Sequence, residues 1–147
     1  MPEQGALLGI DYGLERTGLA LANAESGLAF PLTVLELRKF GNRSSLLDAL
    51  AACAVENGCA AMVLGLPLHA DGSENEMCAR FRNVAKKIAR RIDLPIHFMP
   101  EILTSKEARA NLRNCGLKGE KLNAALDMEA ARIILQSWIN LKREETA

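Results

Sequence analysis

Three acidic side chains stand where a solvated surface acid would not be placed. Asp11 lies in Leu7-Leu8-Gly9-Ile10-Asp11-Tyr12-Gly13, an otherwise apolar stretch that reads as a central strand. A carboxylate there loses much of its hydration, which is costly unless a cation or several hydrogen bonds compensate. Arg16 in the following turn is one such partner, and an Asp that merely closes the strand is another reading. Asp127 falls in a helical stretch and shares a face with Ala130, Ala131, Ile134 and Trp138. Glu129 is about 200° further round, at roughly 100° per residue, and is predicted to face solvent. The helix macrodipole alone accounts for an acid in an early turn. An acid looking inward over alanines, however, leaves room beneath it for an ion. Glu101 ends the segment Phe98-Met99-Pro100-Glu101, and ligands of α/β layers collect at the carboxyl ends of strands; a solvated loop acid is the plain alternative. Three acids with no His or Cys among them suit a hard cation, Mg²⁺ or Mn²⁺, and the phosphodiester chemistry such ions promote.

The elements that must position these acids follow from apolar spacing. Ala6–Tyr12, Thr17–Asn23 and Ala29–Leu37 are strand-like runs punctuated by Gly13 and Glu25-Ser26-Gly27, which predicts two successive hairpins. The spacing then turns helical: Asn42 or Ser44-Ser45 can cap a helix whose apolar face is Leu46, Leu47, Leu50 and Ala54, ending near Asn57-Gly58. Ala60–Leu66 is continuously apolar, as a strand buried on both faces must be. Met77, Phe81, Val84, Ala85, Ile88 and Ile92 mark the clearest helix. Pro95–Met99 is a short fifth strand. Thr104-Ser105, with Glu107 as a capping-box partner, begins a third helix, and the last helix covers about Leu122 to Leu141. The order β-β-β-α-β-α-β-α-α resembles the RNase H-like fold, an α/β class with a five-stranded mixed sheet, three strands antiparallel and then two parallel, flanked by helices. Right-handed crossovers place the fourth strand beside the first.

The whole chain, residues 1–147, reads as one domain with a loose tail over about 142–147. The composition, 49% hydrophobic and 24% charged over 147 residues, is that of a globular protein with a full core. No apolar run approaches the ~18 residues of a membrane span, and Met1-Pro2-Glu3-Gln4-Gly5 has no features of an export signal, so a cytoplasmic location is expected. Cys53, Cys59, Cys78 and Cys115 match no metal-ligand spacing and read as small apolar residues of a reducing compartment. A formal net charge of zero argues for a local basic patch and against tight nonspecific nucleic-acid binding. With aromatics at 4%, no base-stacking platform is visible.

Four blocks carry a family resemblance. Gly9-Ile10-Asp11-Tyr12-Gly13-Leu14-Glu15-Arg16-Thr17-Gly18-Leu19-Ala20 resembles the opening motif of the YqgF (RuvX) family of pre-16S rRNA nucleases. Val63-Leu64-Gly65-Leu66-Pro67-Leu68 leading to Asp71-Gly72-Ser73, then Glu101-Ile102-Leu103-Thr104-Ser105-Lys106-Glu107-Ala108, then Leu126-Asp127 through Ala130–Gln136, follow in family order and spacing. The resemblance implies an RNase H-like nuclease, monomer or homodimer, that uses Mg²⁺ or Mn²⁺ and trims the 5′ end of a ribosomal RNA precursor. Its acid triad falls on Asp11, Glu101 and Asp127, as catalytic residues and metal ligands. Arg16 matches the motif's basic position, where it would orient Asp11 or contact a phosphate, and Gly13 and Gly18 would admit a phosphate or punctuate a hairpin. Pro100 and Ile102 stand where the family usually has Asp and Arg, and Leu14-Glu15 where it prefers Thr-Lys. The stretch Asn114–Asn123 keeps Lys118 and Lys121 as its basic residues.

Further basic residues invite a nucleic-acid reading. Lys106, Arg109 and Arg113 form an i, i+3, i+7 stripe near Glu101, suited to phosphate contact. Arg80, Arg82, Lys86, Lys87, Arg90 and Arg91 follow the polar side of the second long helix, either as a solvated outer face or as an RNA-guiding surface. His69, in a loop, is a minor candidate for proton transfer; His97, within a strand, reads as packed. Two alternatives to rRNA processing stay open: resolution of branched DNA, which predicts a two-fold dimer, and a noncatalytic RNA-binding or ribosome-assembly module. Asp11-Tyr12-Gly13 also resembles the phosphate turn of actin-like ATPases, but those need two such domains.

Overall fold

The computed structural model describes residues 5–69, 71–101, 116 and 118–146. The helix expected from Thr104-Ser105 lies outside them, as do Lys106, Arg109, Arg113 and Cys115. Five strands form one sheet: β1 (Ala6–Asp11), β2 (Arg16–Asn23), β3 (Ala29–Glu36), β4 (Cys59–Pro67) and β5 (Ile96–Glu101). Their order is β3-β2-β1-β4-β5. The first three pair antiparallel, and β4 pairs parallel with β1 and β5. This is the mixed sheet read from the sequence, with the Asp11 strand at its centre. Pro31 and Pro100 fall on the two edge strands β3 and β5, where a missing N–H costs the ladder least.

The helices are α1 (Leu37–Phe40), α2 (Arg43–Glu56), α3 (Cys78–Ala89) and α4 (Gly119–Thr146). Asn42 caps α2 by accepting the Ser45 N–H at 2.8 Å. The short α1 packs Leu37 and Phe40 against the core but is not legible in the sequence; its Gly41 end is left-handed, with φ +81°. Helix α4 runs on through the residues read as a tail, because Lys142 pairs with Glu145 and lies over the Trp138 ring. Among the described residues no helix is long and apolar enough to cross a membrane.

Strand alternation splits the core into two layers. Leu8, Ile10, Leu19, Met62 and Leu64 face α2 and α3. Leu7, Ala20, Ala22, Ala61 and Val63 face α4, against Ala131, Ile134, Leu135 and Trp138. The α4 layer is small-residue rich, and at three points it has no side chain at all. A Cβ on Gly9 would stand 2.7 Å from the Leu135 Cβ and 2.8 Å from the Ala131 carbonyl. One on Gly65 would stand 2.5 Å from the Ile134 Cδ1, and one on Gly18 would overlap the Asp127 backbone carbonyl. Helix α4 therefore rests on bare sheet backbone from β1, β2 and β4. Gly18, read as a hairpin or phosphate residue, is instead a helix seat. Gly13 does keep its turn role, folded against the Arg16 carbonyl.

Thr17 is buried in the opposite layer, and its hydroxyl has no hydrogen-bond partner. Thr17→Val removes that orphan without changing shape and should raise Tm by roughly 2–4 °C, near 1 kcal/mol. Gly18→Ala should act in the other direction, lowering Tm by roughly 6–12 °C through overpacking against α4. Thermal unfolding followed by circular dichroism checks both; wild-type melting of Gly18→Ala would disprove the seat.

Candidate active site

The same alternation that seats α4 gathers the acids. Leu7, Gly9 and Asp11 share the α4 face of β1. On β5 the series His97, Met99, Glu101 shares it too, since His97 stacks on Trp138 at 4.8 Å and Met99 packs in the α4 layer. Asp11 pairs across β1–β2 with Gly18, and Glu101 pairs with Pro67 at the end of β4. The Leu68 N–H donates to the Glu101 carbonyl at 3.1 Å, fixing the strand end. A Cβ on Gly65 would come within 2.9 Å of the Glu101 Oε2, so the floor beside this carboxylate is glycine backbone. Asp127 arrives from above on α4, its own backbone against Gly18.

The electrostatics follow from this crowding. Burial first, then the negative charges of Glu101 and Asp127, hold Asp11 well above the ordinary carboxylate value of 3.8. Burial also pushes Asp127 up, while Arg16 pulls it back down. The Arg16 Nε donates to the Asp127 Oδ2 at 2.7 Å. Arg16 thus serves Asp127, and the sequence expectation that it orients Asp11 is corrected: β2 carries its side chain toward the α4 helix. Among the described residues no three carboxylate, His or Cys side chains already converge as a metal cage. The Arg16 bond accounts for this, because it draws Asp127 toward a cation the chain itself supplies. The donor chemistry nonetheless fits a hard dication, with three acids and a floor that holds no competing side chain.

The remaining candidates separate clearly. Lys118 and Lys121 are exposed at the first turn of α4, while Lys106, Arg109 and Arg113 lie outside the described residues. His97 is packed, and desolvation lowers its pKa. His69 is exposed in a turn whose backbone bonds run to Ser73 and Gly72. Glu129, expected in solvent, is half-buried and paired with Arg132 one turn along. A cleft of about 600 Å³ opens beyond Arg16 and mixes Glu15, Glu36 and Glu120 with Arg16 and Arg38, so it offers a phosphate no uniform field. Cys53 and Cys59 are half-buried thiols, the latter pushed up to about 11 by burial, in keeping with unreactive packing residues.

A five-stranded sheet of order β3-β2-β1-β4-β5, three strands antiparallel and then two parallel, with helices on both faces, defines the RNase H-like class. Two solved structures share the fold: Thermus thermophilus RuvC in complex with a Holliday junction substrate, with a TM-score of 0.56 at 17% identity over 94% of this chain and 96% of that one, and the same organism's RuvC alone, with a TM-score of 0.52 at 15% identity over 95% and 96%. Within that class the chain belongs to the RuvX family, whose sequence profile, described as Holliday junction resolvase, matches residues 5–141. Relatives bearing the name "Putative pre-16S rRNA nuclease" include one from Nitratidesulfovibrio vulgaris, 40% identical over 91% of this chain and 92% of its own length. Another, from Thiobacillus denitrificans, is 40% identical over 94% and 93%, and one from Nitrosospira multiformis is 34% identical over 99% and 94%.

Because Asp11 holds its proton more tightly folded than unfolded, its contribution to stability is fully present below about pH 3.8 and is lost as pH rises through the folded value. Ionised Asp11 is therefore a cost to the fold at neutral pH. Asp11→Asn should raise Tm by roughly 2–4 °C at pH 7.5 in chelator, and the gain should shrink on acidification. Equal melting of the two proteins at pH 7.5 would contradict the crowding.

Proposed function

We propose that this chain is a metal-dependent nuclease that hydrolyses phosphodiester bonds in a ribosomal RNA precursor, at the 5′ end of 16S RNA. The observation that carries the reading is that Asp11 and Glu101 lie on the face of the sheet onto which α4 lowers Asp127, over a glycine floor. In this reading Asp11, Glu101 and Asp127 hold Mg²⁺ or Mn²⁺, which relieves their mutual repulsion and supplies Lewis acidity at the scissile phosphate. The chain's own groups do the rest. Arg16 offsets part of the cost of burying Asp127, and the fixed β5 end holds the Glu101 backbone. Gly18 and Gly65 keep side chains off the floor. Lys118 and Lys121, together with Lys106, Arg109 and Arg113, supply cations for substrate phosphates. The relatives named for pre-16S rRNA point to the substrate, and rRNA processing places the work in the cytoplasm.

Branched DNA is the second reading, favoured by the family description and by the RuvC fold. It requires a two-fold dimer, so that two sites cut symmetric strands. Cleavage of a precursor RNA spanning the 16S 5′ end, beside a four-way DNA junction, separates the two in Mn²⁺ buffer. Cutting of the RNA should dominate, and Asp11→Asn, Glu101→Gln and Asp127→Asn should each slow it on the order of a hundredfold or more. Undiminished cutting by Asp11→Asn would end the metal-site reading. Junction cutting by a dimer, with the RNA untouched, would select the second.

A further inference from the structure

The face of the sheet opposite the acids carries a charged groove that the site does not use. Tyr12 follows Asp11 directly and points to the other layer, its ring edge-on to Phe81 at 5.5 Å. Its hydroxyl accepts a hydrogen bond from the Arg43 guanidinium, which also donates to the Leu14 carbonyl at 3.3 Å. From there a cavity of about 330 Å³ is lined by Tyr12, Arg43, Arg80, Asn83, Val84 and Lys87. A second, of about 220 Å³, shares Arg43 and Lys87 with it and continues past Arg90 to Arg91. The two make one cleft between the first turn of α2 and the length of α3.

Its lining is cationic and unneutralised. Arg91 at the far end is paired with Asp48 at 2.8 Å. Among the described residues Arg43, Arg80, Lys87 and Arg90 have no ion-pair partner. In a chain of zero net charge, four free cations around one cleft are a concentration of field. Arg80 and Lys87 are two turns apart on α3, roughly 10 Å by helix rise, so they meet different phosphates of one strand. Arg43 is already held in place by Tyr12 and Leu14, so less side-chain freedom is lost on binding. A second copy of the chain is a poor occupant, because a two-fold contact would set this patch against itself.

We infer that the α2–α3 cleft is a binding track for the sugar–phosphate backbone of the substrate RNA flanking the cut. It rests on the nuclease reading for the identity of its occupant. The strand leaving Asp11 passes the end of β1 and enters the cleft beside Tyr12. No exposed aromatic lines the cleft, so it holds backbone without reading bases.

The test uses Asp11→Asn protein in chelator, so that binding is read apart from cleavage, and a fluorescent 30-nucleotide single-stranded RNA. Adding Arg80→Ser and Lys87→Ser should weaken binding about tenfold at low salt and reduce the slope of log K against log salt by about 1.4. Removing the same charge elsewhere, as Lys39→Ser with Lys142→Ser, should leave the slope within experimental error of the parent. Circular dichroism of each variant confirms folding, and both α3 positions are exposed. Equal loss from the two double variants, or none from the α3 pair, would overturn the track. Binding is read without cleavage, so failure of the nuclease reading shows separately, as wild-type protein that cuts no RNA.

Discussion

The close approach of α4 to the sheet is the constraint on which the site depends. A helix normally stands about 10 Å from a sheet it packs on, with side chains filling the gap. Here Gly9, Gly18 and Gly65 remove those side chains at one point on each of β1, β2 and β4, and the helix backbone descends into their place. Asp127 is carried down with it. A single methyl group at Gly18 would meet the Asp127 carbonyl, so the depth of the acid is set by residues that do no chemistry themselves.

That depth has an electrostatic cost, which the fold meets with one guanidinium. Three carboxylates on one face repel, and burial raises Asp11 further. Arg16, on the strand beside Asp11, neutralises the acid that the helix delivers. The crowding is greatest at Asp11, where burial adds to the charges of Glu101 and Asp127 near the ends of β1 and β5. Stability is given up at that point, as is usual where a site must hold a ligand the fold itself does not contain.

The strands, three of the four helices and all three acids were legible in the sequence because they follow period and hydropathy. Asn42 capping α2 and the buried run of β4 are local signals. Helix phase placed Asp127 inward correctly, and strand alternation would have put Glu101 on the same face had its register been known. What could not be read depends on contacts across the chain. Arg16 and Asp127 are 111 residues apart, and a nearest-neighbour reading assigns Arg16 to Asp11 instead. Gly18 looks like turn chemistry until the helix that lies on it is seen. Helix α1 is four residues, and although Leu37 and Phe40 pack on the core, no periodicity shows at that length. The half-burial of Glu129 reflects Arg132 drawing it along the helix, an interaction that facing angles alone do not contain.

The third acid also has a place in time. Translation releases the chain from its amino end at about 5–20 residues per second, so β1 through β5 emerge while α4 is still being made. Until then the sheet's α4 face, with Leu7, Ala20, Ala61 and Val63, has no cover, and Asp11 and Glu101 lack their partner. Asp127 reaches the face that carries Asp11 and Glu101 only when α4 settles onto its glycine seats.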